Sequence, residues 1–227
     1  MRTTMAALLA AAALTACSRA TQGRSAPDTA ERPSPKAESD LAAIARARAD
    51  SARHPYTAAD IAFMSGMIAH HSQAIVMARM APSHGAGASL RRLAERIINA
   101  QQDEIVTMQR WLGDRLQPVP PADTSAMGMM DMAGTGHAML MPGMLTHDQM
   151  MQLDQARDAE FDRLFLTFMI QHHRGAVTMV KDLFDTYGAA QDQLTFKLAS
   201  DVNVDQTTEI ARMERMLAIL ELSGNVP

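Results

Sequence analysis

Apolar residues recur every three or four positions from Thr57 onward, which is the spacing of one face of an α-helix. We find no segment with the strict alternation of apolar and polar residues that indicates a β-strand. Prolines and glycines separate the helical runs, and Thr57 and Thr146 each begin a capping-box pattern. The expected fold is therefore all-α. The predicted helices are a short one beginning at residue 146 and four long ones over 57–80, 89–116, 158–187 and 191–222.

Two segments of the chain, residues 60–77 and 162–179, are near-copies of each other. Each holds two adjacent histidines within an apolar helical run, and the helix that follows each copy is repeated as well. The repeated unit is therefore a helix hairpin. One hairpin cannot bury both of its faces, so two hairpins predict a four-helix bundle over 57–224. Its predicted parts are a hairpin at 57–117, a methionine-rich linker at 118–145 and a hairpin at 146–224.

Helical spacing places residues that can ligate a metal on the faces predicted to be buried. In each copy, a methionine precedes the histidine pair by three and four residues, within reach of the same ion on a helix surface. A glutamate and a methionine stand on the apolar face of each following helix. The candidate ligands in the helices are Met67, His70, His71, Met77, Glu104, Met108, Met169, His172, His173, Met179, Glu209 and Met213.

The two glutamates on these apolar faces, Glu104 and Glu209, each need a partner, because burying an unpaired carboxylate is costly. We expect each of them to pair with a histidine of its own hairpin. In one interpretation these pairs are purely structural, and the methionines only fill the core. In the other they belong to a metal site, because thioether and imidazole groups form a ligand set suited to copper, above all Cu(I).

The predicted linker contains a dense cluster of methionines together with glycine and proline. Core packing explains such a composition poorly, whereas thioethers with an imidazole are adaptable ligands for Cu(I) or Ag(I). We expect only Met150 and Met151, beyond the linker, to pack as the short helix docks. Zinc is disfavoured because no cysteine ligand set is present. The candidate ligands in the linker are Met127, Met129, Met130, Met132, His137, Met139 and Met141.

The N-terminal residues carry an export signal. An apolar stretch over 6–16, too short to span a bilayer, ends in a sequence that resembles a bacterial lipobox at Cys17. We predict a lipoprotein signal peptide over 1–17, with acylation of Cys17 as the only membrane attachment; the alternative is an ordinary secretory signal. Ser18 favours the outer membrane. Residues 18–56 are rich in serine, proline and charge and predict a disordered tether with a short helix within 40–53.

The net charge of −4 is modest, and the basic residues are spread singly along the chain. There is no stripe of basic and aromatic residues. Nucleic-acid binding is therefore excluded as the expected function.

The repeated Phe-x3-Met-Ile-x-His-His-x2-Ala-x2-Met segments (63–77 and 165–179) and the Gln-x2-Glu-Ile-x2-Met segments resemble the bacterial domain of unknown function 305 family. The resemblance extends over about 57–220, including the Pro-Gly-Met-Leu-Thr sequence that begins at Pro142. It implies a ferritin-like four-helix bundle exported to the cell envelope, and some members of the family are linked to copper binding and resistance. The signature maps to Met67, His70, His71, Met77, Met169, His172, His173 and Met179.

The expected function is that of a non-enzymatic, lipid-anchored and periplasm-facing protein of the envelope that buffers or transfers Cu(I) or Ag(I). One alternative is a metal-free structural or interaction bundle. Another is a ferritin-like di-iron oxidase, which needs several bridging carboxylates and Glu-x-x-His pairs. The sequence has one inward glutamate per hairpin and no Glu-x-x-His, which disfavours the oxidase.

Overall fold

A computed structural model describes residues 56–122 and 141–224, together with a few helical positions between 36 and 49. The predicted signal peptide, Cys17 and most of the tether lie outside the described residues. The same holds for residues 123–140, which include the linker candidates Met127, Met129, Met130, Met132, His137 and Met139. Their proposed role stays a prediction.

The described chain is all-α, as predicted, and its helix boundaries fall within a few residues of those expected from the sequence. Helix α1 packs along α2, and α4 packs along α5. The two hairpins meet through α1 and α4, and the short α3 lies against both of these helices. The helices are α1 (Ala58–Met80), α2 (Ala88–Asp114), α3 (His147–Gln155), α4 (Asp158–Asp185) and α5 (Gln193–Gly224).

Both predicted capping boxes are confirmed. The Asp60 carboxylate accepts a hydrogen bond from the Thr57 backbone N–H at 2.6 Å, and the Thr57 hydroxyl accepts one from the Asp60 N–H. The same arrangement joins Thr146 and Gln149 at the start of α3. Each such cap stabilises a helix by about 1 kcal/mol. Asp60 also accepts a hydrogen bond from the N–H of Ala190 at 2.7 Å, which ties the start of α1 to the turn before α5.

The apolar core consists of two clusters that follow one another along the helices. One contains the C-terminal half of α1 with the N-terminal halves of α2 and α4, and the other contains the opposite halves. Neighbouring helices are therefore antiparallel. Buried or partly buried polar residues separate the two clusters, and we call them the polar layer: His70, His71, Gln101, Glu104, His172, His173, Gln206 and Glu209.

The last residues of the predicted linker, 141–145, belong to the folded part of the chain, and we call them the anchor segment. The Gln73 amide accepts a hydrogen bond from the Leu145 N–H at 2.7 Å and donates one to the Leu145 carbonyl at 3.0 Å. Gly143, at φ +76°, lies directly against Gly175 of α4. The end of the predicted linker is therefore packed against the helices, and Met144 is buried in addition to Met150.

Candidate metal centre

All four histidines of the repeated motif are fully buried, with no exposed side-chain surface. They stand at the same level along the molecule because α1 and α4 are antiparallel and pack against each other. The rings of His70 and His172 are in contact across this interface, with centroids 3.8 Å apart. The outer rings, His71 and His173, are 6.4 and 6.2 Å from their sequence neighbours. The fold thus joins both histidine pairs into one group.

Each glutamate pairs with a histidine of its own hairpin, as the sequence predicts. Nε2 of His71 donates to Glu104 Oε2 at 2.6 Å, and Nε2 of His173 donates to Glu209 Oε2 at 2.8 Å. An ionised carboxylate only accepts hydrogen bonds, so each bond places the ring proton on Nε2. Nδ1 of each ring has no hydrogen-bond partner. Carboxylate support on the nitrogen that does not bind the ion is the usual arrangement around metal-ligating histidines.

The inner histidines have different partners. Nε2 of His70 donates to the backbone carbonyl of Pro142 in the anchor segment at 3.0 Å, which again leaves Nδ1 free. His172 is the equivalent residue in the second copy, yet neither of its ring nitrogens has a hydrogen-bond partner. The anchor segment occurs once in the chain, so it supports only one of the two rings. The two copies of the repeat therefore form the same Glu–His hydrogen bond, but their inner histidines differ, because only His70 has a hydrogen-bond partner.

Five buried ring nitrogens therefore lack a partner: Nδ1 of all four histidines and Nε2 of His172. Leaving a buried polar atom unpaired costs about 1–3 kcal/mol. A neutral ring carries one proton, so one of its two nitrogens offers a lone pair. A group of buried imidazole nitrogens without partners fits a metal ion that prefers nitrogen and sulfur ligands.

Burial keeps the inner rings neutral. Burial first, and then repulsion by a protonated His71, lower the pKa of His70 to about 3 against the opposing Pro142 hydrogen bond. Burial, and then the repulsion that a protonated His70 would exert, lower the pKa of His172 well below 6.5. A histidine must be deprotonated to ligate a metal. These two rings are therefore ready to bind an ion at neutral and mildly acidic pH.

The predicted methionine ligands flank the polar layer on both sides. Met67 and Met108 belong to one apolar cluster, whereas Met77, Met169 and Met213 belong to the other. All five are fully buried, so their thioethers lie in the core. The sixth, Met179, is only partly buried.

Met179 and Met141 both lie beside Gly66 at the edge of the α1–α4 interface. A Cβ atom on Gly66 would lie 3.0 Å from the Met141 sulfur and 3.4 Å from the Met179 terminal methyl. Both methionines line a depression that also includes Pro142 and Asp182. Met141 is thus the one linker candidate within the described residues, and it lies beside the residue that supports His70.

Within residues 56–122 and 141–224, no three His, Cys, Asp or Glu side chains are arranged to hold one metal ion. No more than two imidazoles of the layer are therefore placed to hold the same ion, and the soft donors of the adjoining apolar clusters are the thioethers of the flanking methionines. Sequence reasoning placed Gln101 and Gln206 on the buried faces without assigning them to the site. Both are 2% exposed, and Gln101 has no partner for either of its amide atoms. The sequence did not predict the contact of Pro142 with His70, because this contact forms only when the anchor segment folds back onto the helices.

The chain matches the family described as "Domain of unknown function (DUF305)" over residues 60–217. It belongs to the DUF305 family. The match begins at the buried cap residue Asp60 and includes both histidine pairs, both glutamates and the anchor segment. The resemblance predicted from the repeated motif is therefore confirmed.

Solved DUF305 structures are similar to this chain. One is a protein from Streptomyces coelicolor whose name describes it as secreted, with 28% identity, a TM-score of 0.60, and coverage of 72% of this chain and 94% of that one. Another is a fragment from Deinococcus radiodurans, with 27% identity, a TM-score of 0.58, and coverage of 72% and 98%.

CopM, solved in a Cu(II)-bound form, is also similar, with 32% identity, a TM-score of 0.54, and coverage of 70% of this DUF305 chain and 95% of CopM. CopM has been solved in Cu(I)-bound and Ag-bound forms as well. No curated protein sequence matches this DUF305 chain. Among the residues that the structure describes, no helix has both the length and the apolar character needed to cross a bilayer.

Proposed function

We propose that this DUF305 protein binds Cu(I) or Ag(I) in its polar layer and buffers or transfers the ion outside the cytoplasm. The observation that carries the proposal is the group of five unpartnered ring nitrogens on four fully buried histidines. An ion bound there would satisfy donors that the protein itself leaves unpaired. The nearby methionines would supply thioether ligands, which select soft ions.

The charges around the layer suit a monovalent cation. The ring of His70 remains neutral because of its lowered pKa, so it does not repel an incoming ion. The carboxylates of Glu104 and Glu209 bond to Nε2 of the outer rings. Their negative charges would therefore balance the charge of an ion bound on the other side of each ring. Burial of an ion is costly unless opposite charge accompanies it. The two Glu–His pairs meet that requirement without occupying the inner coordination positions.

The CopM structures support the choice of ion. CopM is about as long as the domain described here and has been solved with copper and with silver. We extend that chemistry to this chain because its own layer supplies soft and borderline ligands. The proposal includes a ferritin-like four-helix bundle, in which the two antiparallel hairpins enclose the layer.

We also propose that the protein is exported and held at the envelope through acylation of Cys17, facing the periplasm. The export motif at residues 1–17 and the secreted DUF305 neighbour support this. Replacing Cys17 with Ala should release the full-length protein from the membrane fraction. Membrane attachment that survives this change would contradict the anchor without bearing on copper binding.

A metal-free bundle is the second candidate, because the Glu–His hydrogen bonds on their own also fix helix register. A ferritin-like di-iron oxidase is less well supported, since among the described residues Glu104 and Glu209 are the only carboxylates hydrogen-bonded to the four histidines of the layer. Both carboxylates point to the outer rings, and neither bridges the inner pair.

The experiment is a Cu(I) titration of the purified protein against the chelator bicinchoninate under anaerobic conditions. We expect the wild-type protein to withdraw at least one equivalent of Cu(I). Changing His70, His71, His172 and His173 together to Gln should abolish uptake by the layer, whereas His147→Gln, at an exposed position, should not. Circular dichroism establishes that each variant stays helical. A wild-type protein that withdraws no Cu(I) contradicts the proposal.

The linker is tested separately because it lies outside the described residues. Replacing its methionines and His137 with Ser should remove any additional equivalents of Cu(I) and leave the equivalent bound by the layer. Loss of all uptake in this variant would show that the linker, and not the layer, holds the ion.

A further inference from the structure

The four histidines have no exposed surface, so an ion needs a route to them. A groove opens near the layer between α2 and α5, two helices that make little direct contact. Its two adjoining parts have volumes of about 510 and 380 Å³ and share Ala100, Glu104 and Asp205. Each part is far larger than the roughly 30 Å³ that one water occupies, so a hydrated ion fits.

The groove reaches both histidine pairs at once. Glu104 and Glu209 line it, and their side chains are 14% and 12% exposed. The same carboxylates bind the buried rings of His71 and His173. Each carboxylate therefore lines the groove and also contacts one of the outer rings. A shift of either carboxylate would open the layer from this side.

Two buried amide side chains line the groove, and each has at least one atom without a hydrogen-bond partner. Gln101 and Gln206 both line it and are both 2% exposed. Neither amide atom of Gln101 has a partner, and the amide oxygen of Gln206 lacks one as well. Buried amides normally find partners, because an unpaired one destabilises the fold. Two unpaired amide oxygens, one from each copy of the repeat, can ligate a cation that passes between them.

The charge of the groove attracts cations. Its lining holds five carboxylates but only two basic side chains, and one of the latter, Lys197, already pairs with Asp201. Glu104, Asp205 and Glu209 line the same part of the groove. Burial, followed by the negative charges of Glu104 and Glu209, raises the pKa of Asp205. A cleft lined by one sign of charge concentrates ions of the opposite sign and speeds their association.

We propose that the α2–α5 groove is the route by which the ion reaches and leaves the histidines, with Glu104 and Glu209 as its movable inner gate. This inference rests on the proposed binding of Cu(I) or Ag(I). Oxygen donors hold soft ions weakly. The groove therefore conducts the ion inward and does not retain it, whereas the imidazoles and thioethers do.

The test is to obstruct the groove without touching a ligand. Ala100 is exposed in the groove, and Ala62 is its counterpart in the depression beside Met141 on the α1–α4 side. Cu(I) is added to full-length protein, and unbound ion is trapped with bicinchoninate at set times. We expect Ala100→Trp to slow uptake and release at least tenfold with an unchanged dissociation constant. Ala62→Trp should leave both rates within twofold of wild type.

Two further variants keep the test decisive. Ala100→Leu is a smaller obstruction for use if the tryptophan disturbs folding, and it should slow uptake to a lesser degree. Asp205→Asn should slow uptake severalfold at low salt and much less at high salt, because salt screens attraction between exposed charges.

The outcomes separate the route from the site. Normal affinity with unchanged rates in both Ala100 variants overturns the route alone, and so does slowing by Ala62→Trp in place of Ala100→Trp. No uptake of Cu(I) by the wild-type protein overturns the binding function and the route together.

Discussion

The inner histidines, His70 and His172, set the acid sensitivity of the molecule. Burial lowers the pKa of His70 to about 3 and that of His172 well below 6.5. In the unfolded chain both return to ordinary values. Between pH 6.5 and about 3, the unfolded state therefore binds protons that the native state does not, and stability falls as the pH falls.

We predict that the loss approaches about 1.4 kcal/mol per histidine for each pH unit below 6.5 in the metal-free protein. Urea unfolding at pH 7.5, 6.5, 5.5 and 4.5 measures it. Changing His70 and His172 together to Gln should flatten the dependence, and the exposed control His147→Gln should not. An equally steep dependence in the double variant would show that other groups set the acid sensitivity.

Glu104 and Glu209 hold the outer rings with Nδ1 free. Removing the carboxylate charge with Glu104→Gln weakens this hold and lowers the basicity of the ring. We expect a 10- to 100-fold loss of Cu(I) affinity, the usual effect of changing a residue that supports a metal-binding histidine. Competition with bicinchoninate measures the loss. Glu209→Gln should behave alike, because the second hydrogen bond has the same geometry.

The matched control is Glu214→Gln, which removes a carboxylate from the surface of α5 where it pairs with Arg174. It should change the affinity by less than twofold. If Glu104→Gln and Glu214→Gln bind Cu(I) alike, the Glu–His pairs serve only to position the helices.

The Glu–His pairing could be predicted at the residue scale because a buried carboxylate needs a partner and the hairpin brings histidines to its level. The sequence could not say that the second histidine of each pair, His71 and His173, would be the partner. The first, His70, bonds instead to Pro142, which approaches from outside the repeat. Contacts of this kind depend on how a non-repeated segment folds back.

At the scale of elements, helical periodicity predicted every described helix, whereas the anchor segment looked like linker. Its proline and glycine are typical of a connection, yet they allow its backbone to lie against α4. A Cβ on Gly175 would stand 1.9 Å from the Pro142 carbonyl oxygen. This approach needs glycine both in the anchor segment, at Gly143, and in α4, at Gly175. Helical periodicity does not predict such a contact.

We predict that Gly175→Ala destabilises the protein by about 3 kcal/mol, because the added methyl meets backbone that cannot move aside alone. Gly113→Ala is the control, since its Cβ would meet only a Val119 methyl at 3.9 Å. Alanine there should be neutral or stabilise α2 by up to about 1 kcal/mol. Urea denaturation compares the two. Equal stabilities would mean that the anchor segment is not held against α4.

At the scale of the whole molecule, a polar layer separates two apolar clusters. The repeat predicted two hairpins, and residues of both lie within the part of the chain that matches the DUF305 family. The repeat did not predict that antiparallel packing would place all eight residues of the polar layer at one level. That level follows from the register between α1 and α4, which side-chain packing sets.

Filling the layer should stabilise the whole domain, because the ion binds the native arrangement of ligands that unfolding disperses. With free ion at 100 times the dissociation constant, the gain is about 2.7 kcal/mol. Thermal unfolding with and without Ag(I) measures it, and the variant with all four histidines changed to Gln should show no gain. A gain of equal size in that variant would place the ion elsewhere.

The most direct measurement is a crystal structure of the protein soaked with a silver salt, with anomalous diffraction used to locate the ion. We expect a peak within bonding distance of Nδ1 or Nε2 of the histidines in the polar layer. An ordered, metal-free layer beside a silver peak that lies only on surface residues would contradict the proposed site.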